Sequence, residues 1–243
     1  MKDTEGIYTD DKWKFDENVT NCFEDMLERS IPQYNIMRSS VADLAYDVIK
    51  ASGKSTINLL DIGCSDGIMI EHLVSKFSEY DDAKFLGIDV SEPMLAKAKQ
   101  RLHIELTDKV QIKKCDLRDN YPSGVFDIVT SILSIQFTPI EHRQSIISNI
   151  YESLSDKDGC FIMVEKVLGN TSKLNKLFVK NYYGMKKSNG YTDEQIERKR
   201  LSLEGVLVPV TSDWNIDLLK QAGFRQVDVF WRWMNFVGYI AIK

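Results

Sequence analysis

Leu59-Leu60-Asp61-Ile62-Gly63-Cys64-Ser65-Asp66-Gly67 has the pattern of a buried strand that turns on glycine into the start of a helix. Ile57 to Ile62 is an apolar run of strand length. Gly63 lets the backbone come close to a ligand, and Ser65 or Asp66 can cap the helix that follows. The spacing is not the G-x-G-x-x-G of a dinucleotide fold, and the Gly-Lys-Ser/Thr of a P-loop is missing. What is left is an opening of the form acid-x-Gly-x-x-x-Gly, from Asp61 to Gly67.

Three further runs follow in order. Ala83-Lys84-Phe85-Leu86-Gly87-Ile88-Asp89 ends in a carboxylate, and an acid at the tip of strand two accepts both hydroxyls of a ribose. Val110 to Leu117 places Asp116 where it accepts from an adenine amino group, with the Leu117 amide beside it. Phe126 to Ser131 opens with a Phe-Asp pair typical of strand four in such sheets. Each run alone is weak, but four in register, separated by helical stretches, read as an S-adenosylmethionine site on a doubly wound, Rossmann-like α/β fold.

The patterning predicts helices at about 66–78, 92–103, 140–155 and 213–222. Strands are expected at 57–62, 84–89, 109–115, 126–131, 158–166, 224–232 and 234–242. The result is a seven-stranded, mostly parallel sheet whose last strand is antiparallel, closed by a hairpin near Arg232 to Met234 at an antiparallel edge. Residues 1–50 carry helical periodicity at Val19, Phe23, Met26 and Leu27 and form a cap over the cofactor. Residues 169–209 are a helical insertion after strand five, near the carboxyl edge of the sheet, where ligands of open α/β sheets bind. The whole of 1–243 is expected to be one domain with these two decorations.

A net charge of -5 argues against direct binding of nucleic acid, which needs a basic footprint. No apolar stretch approaches the ~20 residues that cross a bilayer, and the acidic start Met1-Lys2-Asp3-Thr4-Glu5 is unlike a secretion signal. A cytoplasmic protein without membrane attachment is expected. Cys22, Cys64, Cys115 and Cys160 form no C-x-x-C pair and have no histidines nearby, so no metal site is indicated. Within the insertion, Thr192 is a good N-cap for a helix running through Arg198-Lys199-Arg200, and Glu197, Arg200 and Glu204 have the spacing of paired charges on a solvated face. An arginine near a sulfonium makes sense only with an anion between them.

Several blocks closely resemble the carboxy-S-adenosyl-L-methionine synthases. They are Trp13 to Val19, Met26 to Tyr34, Asp61 to Ser65, Ile135-Gln136-Phe137, Asn189-Gly190-Tyr191 and Lys199 to Glu204, and the similarity runs from about Trp13 to Lys243. The resemblance implies conversion of S-adenosyl-L-methionine and prephenate into carboxy-S-adenosyl-L-methionine and phenylpyruvate. It also implies a homodimer and a functional link to a tRNA carboxymethyltransferase that modifies the wobble uridine. By the same resemblance Arg200 grips the new carboxylate and Tyr34 is the cap tyrosine on the cofactor, and these two are the candidate catalytic residues. Gly63, Cys64 and Ser65 surround the methionine moiety, Asp89 and Val90 bind the ribose, and Asp116 and Leu117 bind the adenine. The remaining cofactor position is Ile132, where the family has an asparagine; an isoleucine cannot donate that hydrogen bond, and Ser131 and Ser134 are the substitutes at hand. Asp66 stands where a neutral residue is usual, its charge suited to a helix N-terminus.

The implied chemistry needs little acid-base help. A sulfonium acidifies its own methyl protons, prephenate loses carbon dioxide as it aromatises, and the departing fragment helps take the proton. What is asked of the protein is proximity, exclusion of water and a waiting cation. His72, His103 and His142 are accordingly read as packing or surface residues. Arg198, Lys199, Lys166, Tyr182, Tyr183 and Tyr191 are candidates for the carboxylates of prephenate, while Tyr182-Tyr183 also reads as an anchor for the insertion or a dimer contact. Two other readings compete: an ordinary methyltransferase acting on a small carboxylate-bearing acceptor, and a non-catalytic module that keeps the fold to bind a tRNA-modifying partner. Intact Asp61, Gly63, Gly67, Asp89 and Asp116 argue against the second.

Overall fold

Strand β1 (Thr56–Ile62) is apolar on both faces because it lies at the middle of a sheet covered on each side. Our computed structural model describes residues 12–104 and 108–243, so the acidic start at Met1 to Glu5 lies outside the described residues. Around β1 are β2 (Asp82–Asp89), β3 (Val110–Lys114), β4 (Ile128–Ile132), β5 (Cys160–Leu168), β6 (Val210–Thr211), β7 (Gln226–Trp233) and β8 (Phe236–Ile242). The order across the sheet is β3-β2-β1-β4-β5-β8-β7, with β8 antiparallel to both of its neighbours and the β1 to β5 pairs parallel.

The β7–β8 hairpin forms the antiparallel edge that the sequence predicts, with β8, whose Phe236, Val237, Tyr239 and Ala241 are all buried, on the inner side between β5 and β7. One detail differs from the sequence expectation. An eighth strand, β6, pairs with Val167 and Leu168 of β5. It is two residues long, and its second residue, Thr211, already caps the next helix through its hydroxyl, so no periodicity announces it.

The helices are α1 (Glu17–Ser30), α2 (Tyr34–Ser52), α3 (Ile68–Lys76), α4 (Glu92–Arg101), α5 (Ile140–Ser153), α6 (Ser172–Ser188), α7 (Asp193–Leu203) and α8 (Ser212–Ala222). Alternation along β1 divides the core. Ile57 and Leu59 pack with Met37, Val41, Ala45 and Ile49 of α2 on one face. Leu60 and Ile62 pack with Ile146, Ile147 and Ile150 of α5 and Leu219 of α8 on the other. Of the 1–50 segment, α2 is therefore core, and α1 with Trp13 and Phe15 forms the cap. The Asp16 carboxylate caps α1 by accepting from Val19 N at 3.0 Å, and Val19, Phe23 and Met26 bury against Met94 of α4.

Helices α6 and α7 make up the insertion. Thr192 caps α7 in a full capping box with Gln195. The insertion is tied to the cap: Trp13 N donates to Ser202 O at 2.9 Å, Asn189 Nδ2 donates to Arg29 O at 3.0 Å, and the Tyr191 and Ser30 hydroxyls are 3.0 Å apart.

Candidate active site

A cavity of about 350 Å³ opens where the carboxyl ends of β1 to β5 meet the cap and the insertion. Its floor is the β1–α3 turn. Gly63 N and Cys64 N both donate to Ile88 O, at 2.8 and 2.9 Å, which fastens the turn to β2. A Cβ on Gly63 would fall 2.0 Å from Ser134 Oγ, so only glycine fits beneath that residue. Ser65 and Gly67 follow at φ 52° and 82°, and these left-handed residues delay the helix to Ile68. Neither Ser65 nor Asp66 caps it, contrary to the sequence expectation; Gly67 holds the N-cap position.

Asp66 is instead buried and paired with Arg101 at 3.1 Å. Arg101 also reaches Glu24 of α1 and Glu71 of α3, so it joins the cap to two core helices. The unusual acid at this position is an anchor for the cap.

The Asp89 carboxylate accepts from Ser65 N at 3.0 Å and Ser91 N at 2.9 Å, one bond per oxygen, which leaves lone pairs free for a pair of ribose hydroxyls. Burial raises its pKa, and the backbone donors of Ser91, Ser65 and Val90 oppose the rise. Asp61 lies deeper: burial raises it to about 7, opposed by the Thr130 hydroxyl, which donates to Oδ1 at 2.7 Å. Asp116 is held in the ionised form by Arg118, whose Nε donates to Oδ1 at 2.9 Å. Burial raises the thiol of Cys64, which makes it a poor nucleophile.

Of the predicted site residues, Tyr34, Gly63, Cys64, Ser65, Asp89, Val90, Asp116, Leu117 and Ile132 all line this one cavity. Ile132 ends β4 and presents only carbon to it. Of the two candidate substitutes for the missing asparagine, Ser134 lines the cavity, whereas Ser131 Oγ is buried without a partner and off its wall.

Arg200 is the exception. Its side chain is 44% exposed on α7, held by Glu197 through Nε at 2.9 Å and Nη2 at 2.7 Å, and it does not line the cavity of its own chain. The cation that α7 does send into the wall is its neighbour Lys199, which is 9% exposed, with Nζ 4.5 Å from the Trp13 ring centre and 2.7 Å from Met26 Sδ. Lys166 and Tyr182 also line the wall, while Arg198 pairs with Glu194 outside it and Tyr183 and Tyr191 lie off it.

Sequence reasoning missed Arg38. It lines the cavity one helical turn after Tyr34, its guanidinium 4.2 Å from that ring centre. Nη2 donates to Asn35 Oδ1 at 2.6 Å, while Nε and Nη1 are buried with no hydrogen-bond partner. Orphaned donors on the wall of the cavity whose floor is the Gly63 turn suit the carboxylate of an amino-acid ligand, so the cavity fits the methionine end of S-adenosylmethionine. The i, i+4 spacing of Tyr34 and Arg38 was the available signal. None of the three histidines lines the cavity, and no group of side chains able to hold a metal occurs among the described residues.

Comparison with known proteins agrees with this geometry. Residues 59–157 match a family described as a methyltransferase domain. In fold the chain resembles the plantazolicin methyltransferase BpumL, solved with a triazolic desmethylPZN analog and SAH (TM-score 0.64, 14% identity, 93% of this chain and 94% of that one). It also resembles an O-methyltransferase family protein from Burkholderia thailandensis (TM-score 0.62, 14% identity, 94% and 60%). In sequence it is 36% identical over 235 residues to the carboxy-S-adenosyl-L-methionine synthase of Methylococcus capsulatus, covering 96% of this chain and 94% of the relative. The protein of the same name from Nautilia profundicola is 37% identical over 232 residues, covering 96% and 95%. With a cofactor cavity built on the turn after β1 and relatives this similar along nearly their whole length, the chain belongs to the carboxy-S-adenosyl-L-methionine synthase family of transferases.

Proposed function

We propose that this chain makes carboxy-S-adenosyl-L-methionine from S-adenosyl-L-methionine and prephenate, releasing phenylpyruvate. The observation that carries the reading is Lys199, a buried lysine with no carboxylate partner among the described residues, on the wall of a cavity of the S-adenosylmethionine type that holds no histidine. Burial, then Lys186, hold its amine well below its ordinary value, so that it takes up charge there when an anion stands beside it. A methyl donor is itself a cation and gains nothing from a second one unless an anion stands between them. In the balanced reaction prephenate loses its ring carboxyl and ring hydroxyl, the carboxyl replaces one methyl hydrogen of the sulfonium, and that hydrogen leaves with the hydroxyl as water. The chain's own part is to hold the two substrates together, keep bulk water out beneath the α1 and α7 roof, and hold the carboxylates.

The product is a carboxymethyl donor, and the reading assigns it to a tRNA carboxymethyltransferase acting on the wobble uridine. The net charge of -5 favours supply of that enzyme over contact with the RNA itself. We place the reaction in the cytoplasm; among the described residues no helix is long and apolar enough to cross a membrane. A homodimer completes the proposal. Arg200 keeps the carboxylate-gripping role that the family resemblance implies only if it reaches the cavity of a second copy. Leu177 of α6 and Leu201 of α7, both exposed, offer apolar surface for such a contact.

Mass spectrometry of small molecules released from the freshly purified protein, and of a mixture with S-adenosyl-L-methionine and prephenate, tests the reaction. Carboxylated cofactor and phenylpyruvate in equal amounts are expected. Demethylated cofactor alone would establish an ordinary methyltransferase instead.

A further inference from the structure

Three lysines from three separate elements converge beside the β5 end of the cavity, across the sheet from the adenine pole at Asp116. Lys166 of β5 has its Nζ 4.8 Å from the centre of the Tyr182 ring. Lys186 of α6 stands 5.6 Å from the same centre and 4.7 Å from that of Tyr191. Lys199 of α7 covers Trp13. Lys186 and Lys199 are 3% and 9% exposed, and Lys166 is only partly open. Among the described residues no carboxylate pairs with any of the three; their contacts are aromatic faces and a thioether.

This arrangement opposes folding. Each amine gives up its water, and in the charged form each would repel the others, with Arg29 adding to the repulsion. Burial lowers Lys166 to about 8, burial and then Lys166 and Arg29 lower Lys186 to about 8, and burial, then Lys186, lower Lys199 well below its ordinary value. The other titratable groups facing them are Cys22 of α1, Tyr182 of α6 and Tyr191. Lysines scattered by chance would face solvent. Three that are drawn inward without a counter-ion, two of them on a cavity wall, are arranged for an anion that arrives from outside.

We infer that Lys166 and Lys199 directly hold the carboxylates of the carboxyl donor, a small dianion, with Lys186 behind Tyr182 as a positioning residue that strengthens the field. Trp13, Phe15, Tyr182 and Phe236, on the same wall, receive its carbon frame. The inference deepens the proposed function and rests on it for the identity of the dianion.

Full-length wild type and the variants Lys166→Met, Lys186→Met and Lys199→Met are compared by calorimetry. S-adenosyl-L-methionine is titrated first, and prephenate or phenylpyruvate is then titrated into the loaded protein. We expect cofactor affinity to be unchanged, and the affinity for prephenate to fall roughly 10- to 100-fold in Lys166→Met and Lys199→Met, as for a lost charged hydrogen bond. The fall in Lys186→Met is expected to be smaller. In turnover KM should rise with little change in kcat, and wild-type affinity for the dianion should weaken as pH rises, since burial lowers both Lys166 and Lys199. All three variants should melt at or above the wild-type temperature, because each replaces a desolvated amine that has no carboxylate partner among the described residues.

Wild-type affinity in the Lys166 and Lys199 variants, equal weakening of cofactor and dianion, or a lower melting temperature in all three would overturn the inference. Absence of carboxylated product from the wild type would end the proposed reaction but leave the calorimetry to decide the anion site. Failure of the wild type to bind either carboxylate would end the site.

Discussion

Gly63→Ala tests the floor of the cavity. The methyl group it adds would lie 2.0 Å from Ser134 Oγ and 2.5 Å from Ser134 Cβ, and the residue must keep φ at 69°. Left-handed backbone costs a residue with a Cβ about 1–2 kcal/mol, and forcing a methyl group into a packed site costs about 1–3 kcal/mol. The sum, about 2–5 kcal/mol, falls on a turn that also presents Cys64 and Ser65 to the cofactor. Urea unfolding of the ligand-free protein, with calorimetric titration of S-adenosyl-L-methionine, reads both consequences.

The two components separate in a double-mutant cycle. Ser134→Gly removes the colliding atoms, so the pair Gly63→Ala/Ser134→Gly should recover the overlap energy and retain only the backbone cost of about 1–2 kcal/mol. Ser134→Gly alone should also lower cofactor affinity, since Ser134 is the hydroxyl on the wall next to Ile132. If Gly63→Ala is as stable as wild type, or if the two substitutions add without coupling, the close approach of Ser134 to the turn is wrong.

Three other outcomes are expected. Arg101→Met leaves Asp66 buried without its closest cation and should destabilise the protein by about 3 kcal/mol, with faster proteolysis of α1 than of the sheet; a loss below ~1 kcal/mol would mean that Lys97, 3.5 Å from Asp66, suffices. Because burial raises Asp61 to about 7, the folded chain retains a proton that the unfolded chain loses between pH about 4 and 7, and stability is lost as pH rises through that window. Asp61→Asn keeps an acceptor for Thr130, so its stability relative to wild type in urea should grow from pH 4 to 7 and then level off; a difference independent of pH would contradict the assigned burial. Arg200→Ala should leave affinity for S-adenosyl-L-methionine intact and weaken binding of the carboxylated form only at protein concentrations where light scattering finds a dimer; no effect at any concentration would reduce Arg200 to a surface partner of Glu197.

What the sequence made legible follows the strength of local signals. The strands from β1 to β5, the acids at their tips and the N-cap at Thr192 each have a signature a few residues long, and all are present in the fold. Strand β4 starts two residues later than the pattern predicts because Phe126 is apolar but makes only an isolated bridge, to Leu154; β5, β7 and β8 also start two residues late. Helix α3 was read two residues early because nothing in Ser65 announces a left-handed conformation; tertiary bonds from Asp89 and Ile88 impose it. Arg38 and Lys186 were missed because a basic residue on an amphipathic helix ordinarily belongs to its solvated face. Their burial is a property of how α2 and α6 dock, which no local pattern encodes.

The adjacent pair Lys199-Arg200 shows why the motif alone could not assign its own roles. Consecutive residues on a helix point about 100° apart, so when α7 lies against the cavity one of the two turns in and the other turns out. Both are cations, both suit a carboxylate, and a match to a family motif covers them together. The choice is made elsewhere: Trp13 N donates to Ser202 O and fixes the rotation of α7, while Trp13 and Met26 present an aromatic face and a sulfur where Lys199 must lie. The flexible stem of a lysine can run along such a surface and deliver its charge at the end, and its desolvation is tolerable if an anion binds there. Arg200, turned outward onto Glu197, keeps a planar guanidinium that a carboxylate on another molecule can displace from its partner. The two basic residues of one motif thus face different volumes of space, and only one of those volumes is the cavity of this chain.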